Sequence, residues 1–231
     1  MNTNQNSCSC LNCKLKSIFF DNIDTDKLDL FCASKIEKNF KKGETIVKES
    51  ELIKDFIYLK SGLVKLTRNI SDNGEQILSF AKPFDFVSLL SVFSSEKYLY
   101  SVIAIEDTSI CVLNLNDIIE SISKNGKFAL SIMQKISDAT DKILIDNLEI
   151  KRKHLRGRVA HVLIYFSDMI YEKKTFDLPV SRKEIADYIG MTTENVIRTL
   201  SEFKKDGIIR TYGKDIEIID YERLLSISLH G

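Results

Sequence analysis

The sequence predicts an α+β chain in three parts: an antiparallel β-structure, a long helix, and a winged helix-turn-helix at the C-terminal end. Between residues 40 and 115, short runs rich in β-branched and aromatic residues alternate with turn residues. From residue 127 the apolar spacing changes to steps of 3 and 4. Residues 158–219 then give a helix, a capped helix, a glycine turn, a second helix with a polar outer face and a hairpin.

Composition narrows the classes. A chain of 231 residues is long enough for two modest cores, and 44% hydrophobic with 29% charged residues is ordinary for a globular protein. Lys plus Arg equals Asp plus Glu at 33 each, so net charge does not point to nucleic acid. Residues 151–231 carry 15 basic and 12 acidic residues. A DNA reader needs a basic face, however, and not a basic whole. No apolar run approaches the roughly 18 residues of a membrane span, so no membrane partner is expected. Residues 1–6 lack the basic and apolar regions of a signal peptide, so the expected compartment is the cytoplasm. Five cysteines, an odd number in such a chain, argue against a disulfide framework. With nine glycines and two prolines, nothing reads as a long linker, and no internal repeat is visible.

Taken in order, residues 1–20 form a polar segment holding Cys8, Cys10 and Cys13. Residues 24–36 read as a short helix, with Leu28, Phe31 and Cys32 at helical spacing and Cys32 packing as a small apolar residue. Strands are expected at residues 45–47, 56–59, 63–67, 76–80, 100–105 and 109–115, punctuated by Gly43, Ser61-Gly62 and Asp72-Asn73-Gly74. Short strands at this spacing suggest a sandwich or barrel, here residues 21–121.

Residues 122–152 read as a long helix. Ala129, Ile132, Ile136, Ala139, Ile143, Asp146 and Ile150 follow a heptad seam, the pattern of a parallel dimer helix. The competing reading is a helix packed on its own domain. Asp146 would face its symmetry mate and repel it.

Residues 153–231 carry most of the information. Residues 158–169 form an apolar helix with Val159, Val162, Leu163 and Phe166. Ser181 with Glu184 is a capping box that starts the next helix, Ile185 and Ile189 give it an apolar face, and Gly190 ends it. Thr192 caps a second helix running to about Lys205. Val196, Leu200 and Phe203 should dock inward, leaving Glu194, Arg198, Ser201 and Lys205 outside. Residues 208–212 and 216–219, with a turn at Gly213-Lys214, form the wing. Double-stranded DNA is the expected partner. Arg198 can fork onto guanine O6 and N7, and Glu194 can accept from cytosine N4 and hold Arg198 at i,i+4. Arg182, Lys183, Thr192 and Thr193 suit phosphates, with Ser201 on the same exposed face. Taken alone, Glu194 and Arg198 would equally suit a surface ion pair.

The order of parts resembles the Crp/Fnr family of transcriptional regulators, nearer the Fnr branch. Lys42-Gly43-Glu44, Lys60-Ser61-Gly62 and Leu155-Arg156-Gly157-Arg158 carry the resemblance. So does Ser181-Arg182-Lys183-Glu184-Ile185-Ala186-Asp187-Tyr188-Ile189-Gly190-Met191-Thr192-Thr193-Glu194-Asn195-Val196-Ile197-Arg198-Thr199-Leu200. It implies an antiparallel β-roll of the double-stranded β-helix (jelly-roll) type, a long dimerisation helix, a homodimer on an inverted repeat, and RNA polymerase as a partner. The family's Glu and Arg fall on Glu194 and Arg198. The oxygen-sensing branch has a Ser where Ile197 stands, and the cyclic-AMP branch an Arg where Thr193 stands.

The resemblance also frames the signal. The family's cyclic-nucleotide positions fall on Ser88-Leu89, Leu99-Tyr100 and Ile143-Leu144, which offer no cation for a phosphate, so no cyclic nucleotide is expected. The oxygen sensors hold an iron–sulfur cluster on three N-terminal cysteines and one in the β-roll. Here Cys10, Cys13 and Cys111 match, Phe19 replaces the third cysteine, and Cys8 is its candidate substitute. Such a cluster would sense oxygen or nitric oxide. Zinc on the same four residues, or free thiols, are the other readings. A haem reading is weaker, because His154 and His161 fall near the hinge and His230 is the only other histidine. No phosphate loop, zinc-protease motif or nucleophile elbow argues for an enzyme. A small-ligand sensor using its helix-turn-helix for protein contacts is the remaining alternative.

Overall fold

The computed structural model describes residues 31, 34–70, 74–83, 85 and 87–231. Cys8, Cys10, Cys13 and Cys32 lie outside these residues. The chain divides into two compact units, one of residues up to 69 with 78–142, the other of residues 70–77 with 143–231.

Two sheets build the first unit. Strands β1 (Ile36–Phe40), β7 (Thr108–Asn114) and β3 (Asp55–Ser61) pair in the order β1-β7-β3. Strands β2 (Thr45–Val47), β6 (Ser101–Ala104), β4 (Val64–Ile70) and β5 (Gly74–Ala81) pair in the order β2-β6-β4-β5. Strands β1 and β3 pair antiparallel with β7, and β2 and β4 pair antiparallel with β6. Alternation along β3 and β7 explains their unbroken apolar sequence. Ile57, Leu59, Ile110 and Val112 join Val64, Leu66 and Val102 in the core between the sheets. Phe56, Tyr58, Cys111 and Leu113 point to the other face, where helices cover them. Strand β1 is absent from the sequence expectation, which ended a helix at Ile36. Phe31 and Ser34 are helical, but Ile36 opens the strand. Its Ile-Glu-Lys-Asn-Phe sequence has little apolar alternation, and only pairing with β7 creates it.

Helix α1 (Leu89–Val92) is a single turn. Helix α2 (Leu115–Lys124) starts on Asn114, whose side chain accepts from the Asn116 and Asp117 amides. Helix α3 (Gly126–Arg152) follows, so the expected long helix is two, broken at Asn125.

The seam expected along α3 is unevenly buried. Ile132 and Ile150 are only 2% and 5% exposed, and Ile136 packs against the cluster containing Phe56 and Cys111. Ala129, Ala139, Ile143 and Asp146 are half-buried; burial raises the pKa of Tyr188, and the charge of Asp146 adds to the shift. Ile132 and Ile150 thus serve the protomer's own packing, while the residues between them keep part of their surface accessible. The opposite face bears Leu130, Met133, Leu144 and Leu148, each more than half exposed.

In the second unit, helix α4 (Leu155–Ile164) continues as a π-helix (Tyr165–Tyr171). The expected single helix over residues 158–169 therefore widens at Tyr165. The π-turn ends at Glu172, in left-handed geometry at φ 53°, and Tyr171 stacks on Phe176 at 5.4 Å. Strand β8 (Thr175–Asp177), helices α5 (Arg182–Ile189) and α6 (Thr193–Lys205), strands β9 (Ile209–Tyr212) and β10 (Asp215–Ile218), and helix α7 (Tyr221–His230) complete it. Helix α4 packs against α5, α6 and α7. The wing is a three-stranded sheet, β8-β10-β9, not the two-stranded hairpin the sequence suggested.

Candidate nucleic-acid interface

Local chemistry sets the two helices of the motif. Ser181 Oγ accepts from the Glu184 amide at 3.2 Å, and the Ser181 amide donates to Glu184 Oε2 at 2.8 Å, closing the capping box. Ile185, Ala186, Tyr188 and Ile189 are buried. Gly190, at φ 66° and ψ 51°, takes the left-handed turn that a side chain would strain. Thr192 Oγ1 then accepts from the Asn195 amide at 3.3 Å and starts α6.

Helix α6 divides cleanly. Val196, Thr199, Leu200 and Phe203 are buried. Glu194, Ile197, Arg198, Ser201, Lys204 and Lys205 are exposed. The guanidinium of Arg198 donates to Asn195 Oδ1 at 3.0 Å, so the side chain that steadies it is Asn195 and not the expected Glu194. A planar fork held one turn from the helix start suits a base edge. Ser201 Oγ donates to the Ile197 carbonyl at 2.9 Å and keeps its lone pairs for acceptance. Of the residues expected at phosphates, Lys183 and Thr192 are exposed and Thr193 is half-buried. Arg182 is half-buried too, and burial lowers its pKa.

The wing is pinned by buried Ile208, Ile216 and Ile218, while Tyr212 at its tip is 65% exposed. Arg210 pairs with Glu217 at 2.9 Å. Asp215 lies opposite Asp177 across the β10–β8 pair, and the hydrogen bond and charge of Asp177 raise its pKa.

Two arginines of α4, quoted from the sequence only as part of the family resemblance, have structural partners that the sequence reading did not assign. Arg156 reaches Glu202 Oε2 at 3.0 Å and Asp206 Oδ2 at 2.8 Å. Arg158 bonds three backbone carbonyls. The sequence does not signal those contacts, since the partners lie up to 50 residues away. Asn195 was assigned no role from the sequence, despite sharing a helix face with Arg198.

In the sensor region, Ser88 Oγ is engaged with the Ile57 backbone, accepting from its amide at 2.9 Å. Tyr100 is buried and donates to the Val87 carbonyl at 2.8 Å. Cys111, on β7 between Glu37 of β1 and Tyr58 of β3, is 1% exposed. Burial raises its thiol pKa, with a hydrogen bond from Tyr58 opposing the shift. Among the described residues no group of three or more His, Cys, Asp or Glu could hold a metal ion.

Comparison with known proteins agrees with this geometry. Residues 157–227 match the Crp-like helix-turn-helix domain, and residues 37–125 match the cyclic nucleotide-binding domain. The chain belongs to the Crp/Fnr family. It is a transcriptional regulator of Crp/Fnr type and not an enzyme. Transcriptional activator protein FnrA of Stutzerimonas stutzeri is 28% identical over 94% of this chain and 91% of its own. Transcriptional activator protein Anr of Pseudomonas aeruginosa is 29% identical over 89% of this chain and 84% of its own. The structure of FixK2 from Bradyrhizobium japonicum superposes with a TM-score of 0.77 at 25% identity, covering 85% of this chain and 98% of that one. No described helix of this Crp/Fnr protein is long and apolar enough to cross a membrane.

Proposed function

We propose that the protein is a cytoplasmic homodimer that binds an inverted-repeat DNA site through α6 and there meets RNA polymerase. The exposed Glu194–Arg198 face of α6, on a helix fixed by two caps and a glycine turn, carries this reading. Arg198 reads guanine, Glu194 accepts from cytosine, and Lys183 and Thr193 contact phosphates. The dimer contact is assigned to the exposed stripe Leu130, Met133, Leu144 and Leu148 of α3. These positions recur at helical spacing along one face and leave the buried seam undisturbed.

The signal enters through the first unit or the N-terminal segment. The N-terminal cysteines with Cys111 remain the candidate oxygen or nitric-oxide sensor, on the grounds of the resemblance.

Selection from a random-sequence DNA pool, followed by gel shift across salt concentrations, tests the reading. An inverted repeat and a steep salt slope support it. Absence of any DNA binding with retained protein partners favours the protein-contact alternative. Anaerobic purification with iron and sulfide analysis tests the signal. A colourless protein that also fails reconstitution removes the cluster and leaves DNA binding intact.

A further inference from the structure

Helix α3 ends at Arg152 and α4 begins at Leu155, so Lys153 and His154 form a short hinge. One side chain spans it. Arg158 donates from Nε to the Lys153 carbonyl at 2.9 Å and from Nη1 to the Ile189 carbonyl at 3.1 Å. Its Nη2 lies 3.5 Å from the Lys151 carbonyl. The three acceptors have distinct places: Lys151 is in the last turn of α3, Lys153 is in the hinge, and Ile189 is the last residue of α5 before the Gly190 turn. Carbonyls at helix ends lack partners within their own helix. A guanidinium can serve several of them at fixed angles because its donors lie in one rigid plane, which no other side chain offers.

The neighbouring side chains reinforce the hinge. Lys153 is buried and places Nζ 3.1 Å from Glu149 Oε2, back on α3. The His154 amide donates to the Gly231 backbone oxygen at 2.9 Å. Two residues before Arg158, Arg156 holds the far end of α6 through Glu202 and Asp206. The first turn of α4 therefore grips both helices of the motif, but only Arg158 also grips the end of α3.

We propose that Arg158 is a positioning residue, a latch that fixes the helix-turn-helix against the end of α3. It thereby sets the separation at which two subunits present their α6 helices to DNA. The second step rests on the dimeric DNA-binding reading above; the first does not.

Arg158→Lys keeps the charge but replaces the fork by one ammonium, and Arg158→Gln removes the charge. Hydrogen exchange on the DNA-free protein decides the latch by itself. Amides at Lys153, His154, Gly190 and Met191 should exchange about tenfold faster in Arg158→Lys, with melting little changed. Unchanged exchange at both the hinge and the turn overturns the latch; if Arg158→Gln fails to fold, the Lys variant carries the test. On DNA, half-sites from the selected sequence are set at spacings varied by single base pairs. The wild-type protein should prefer one spacing, and Arg158→Lys should flatten that preference while binding a single half-site within about twofold of wild type. Arg156→Ala should weaken binding equally at every spacing. An Arg158→Lys protein that keeps the full spacing preference overturns the proposed consequence. A wild-type protein indifferent to paired half-sites sinks the dimer reading instead, and the exchange result still decides the latch.

Discussion

The guanidinium of Arg156 lies over the ring of Phe203, 5.1 Å from its centre. Phe203 is fully buried on the inner face of α6, and the terminal nitrogens of the same arginine pair with Glu202 and Asp206 on either side. One side chain from α4 thus clamps the last turn of the recognition helix. Arg156→Ala should cost about 1 kcal/mol through the lost ring contact and stem packing, the partly exposed ion pairs adding little. Thermal melting checks it, and a melting temperature equal to wild type removes the clamp.

Arg198 tests the base-reading face. It is exposed and held by Asn195, so Arg198→Ala should leave stability unchanged. Affinity for the selected site should fall about tenfold to a hundredfold, with discrimination lost at one base pair of each half-site. Equal affinity and equal sequence preference in a gel shift would show that α6 is read differently.

The capping box tests how the motif is seeded. Ser181→Ala removes the acceptor for the Glu184 amide, at a cost of about 1 kcal/mol. Denaturant unfolding should show a lower midpoint with the slope unchanged.

Close approach constrains Gly157. A Cβ there would collide with the Gly231 backbone oxygen and lie 3.1 Å from the Ile227 carbonyl oxygen, where α4 packs on α7. Gly157→Ala should destabilise by about 1–3 kcal/mol, since backbone cannot yield as a flexible side chain does. A melting temperature unchanged from wild type would mean that α7 shifts freely.

His161 gives the second unit a pH dependence. Burial, then the nearby Lys153 charge, lowers its pKa below 6.5, and Glu149 opposes them. Its Nε2 is buried with no hydrogen-bond partner among the described residues. The unfolded chain takes up the proton first as pH falls. The stability contribution is therefore complete above pH 6.5 and is lost as pH drops toward the folded pKa. His161→Gln should flatten that slope in melting curves between about pH 7 and pH 5. A slope identical to wild type would assign the dependence to other groups.

Elements whose code is local could be read directly from neighbouring residues. Ser181 with Glu184, Gly190, and Thr192 each act on backbone groups within four residues, so the two helices and their turn were legible before any fold was known. The same holds for β3 and β7, where apolar runs declare strands buried on both faces. Tertiary structure decided whatever depends on distant partners. Strand β1 exists because β7 pairs with it, and β8 because β10 does. Helix α3 carries apolar residues on two faces at the same helical period, and periodicity cannot say which one the protomer buries. The fold turned Ile132 and Ile150 inward and left Leu130 and Leu148 outside. Cys111 was read as a ligand from its match to the family, but its environment is fixed by Phe56, Tyr58 and Phe128, remote in sequence. Arg156 and Arg158 are likewise defined by acceptors more than 30 residues away, apart from the hinge carbonyls. Local hydrogen-bond chemistry is written in neighbouring residues, whereas the choice of face and partner is an energy difference between whole arrangements of the chain.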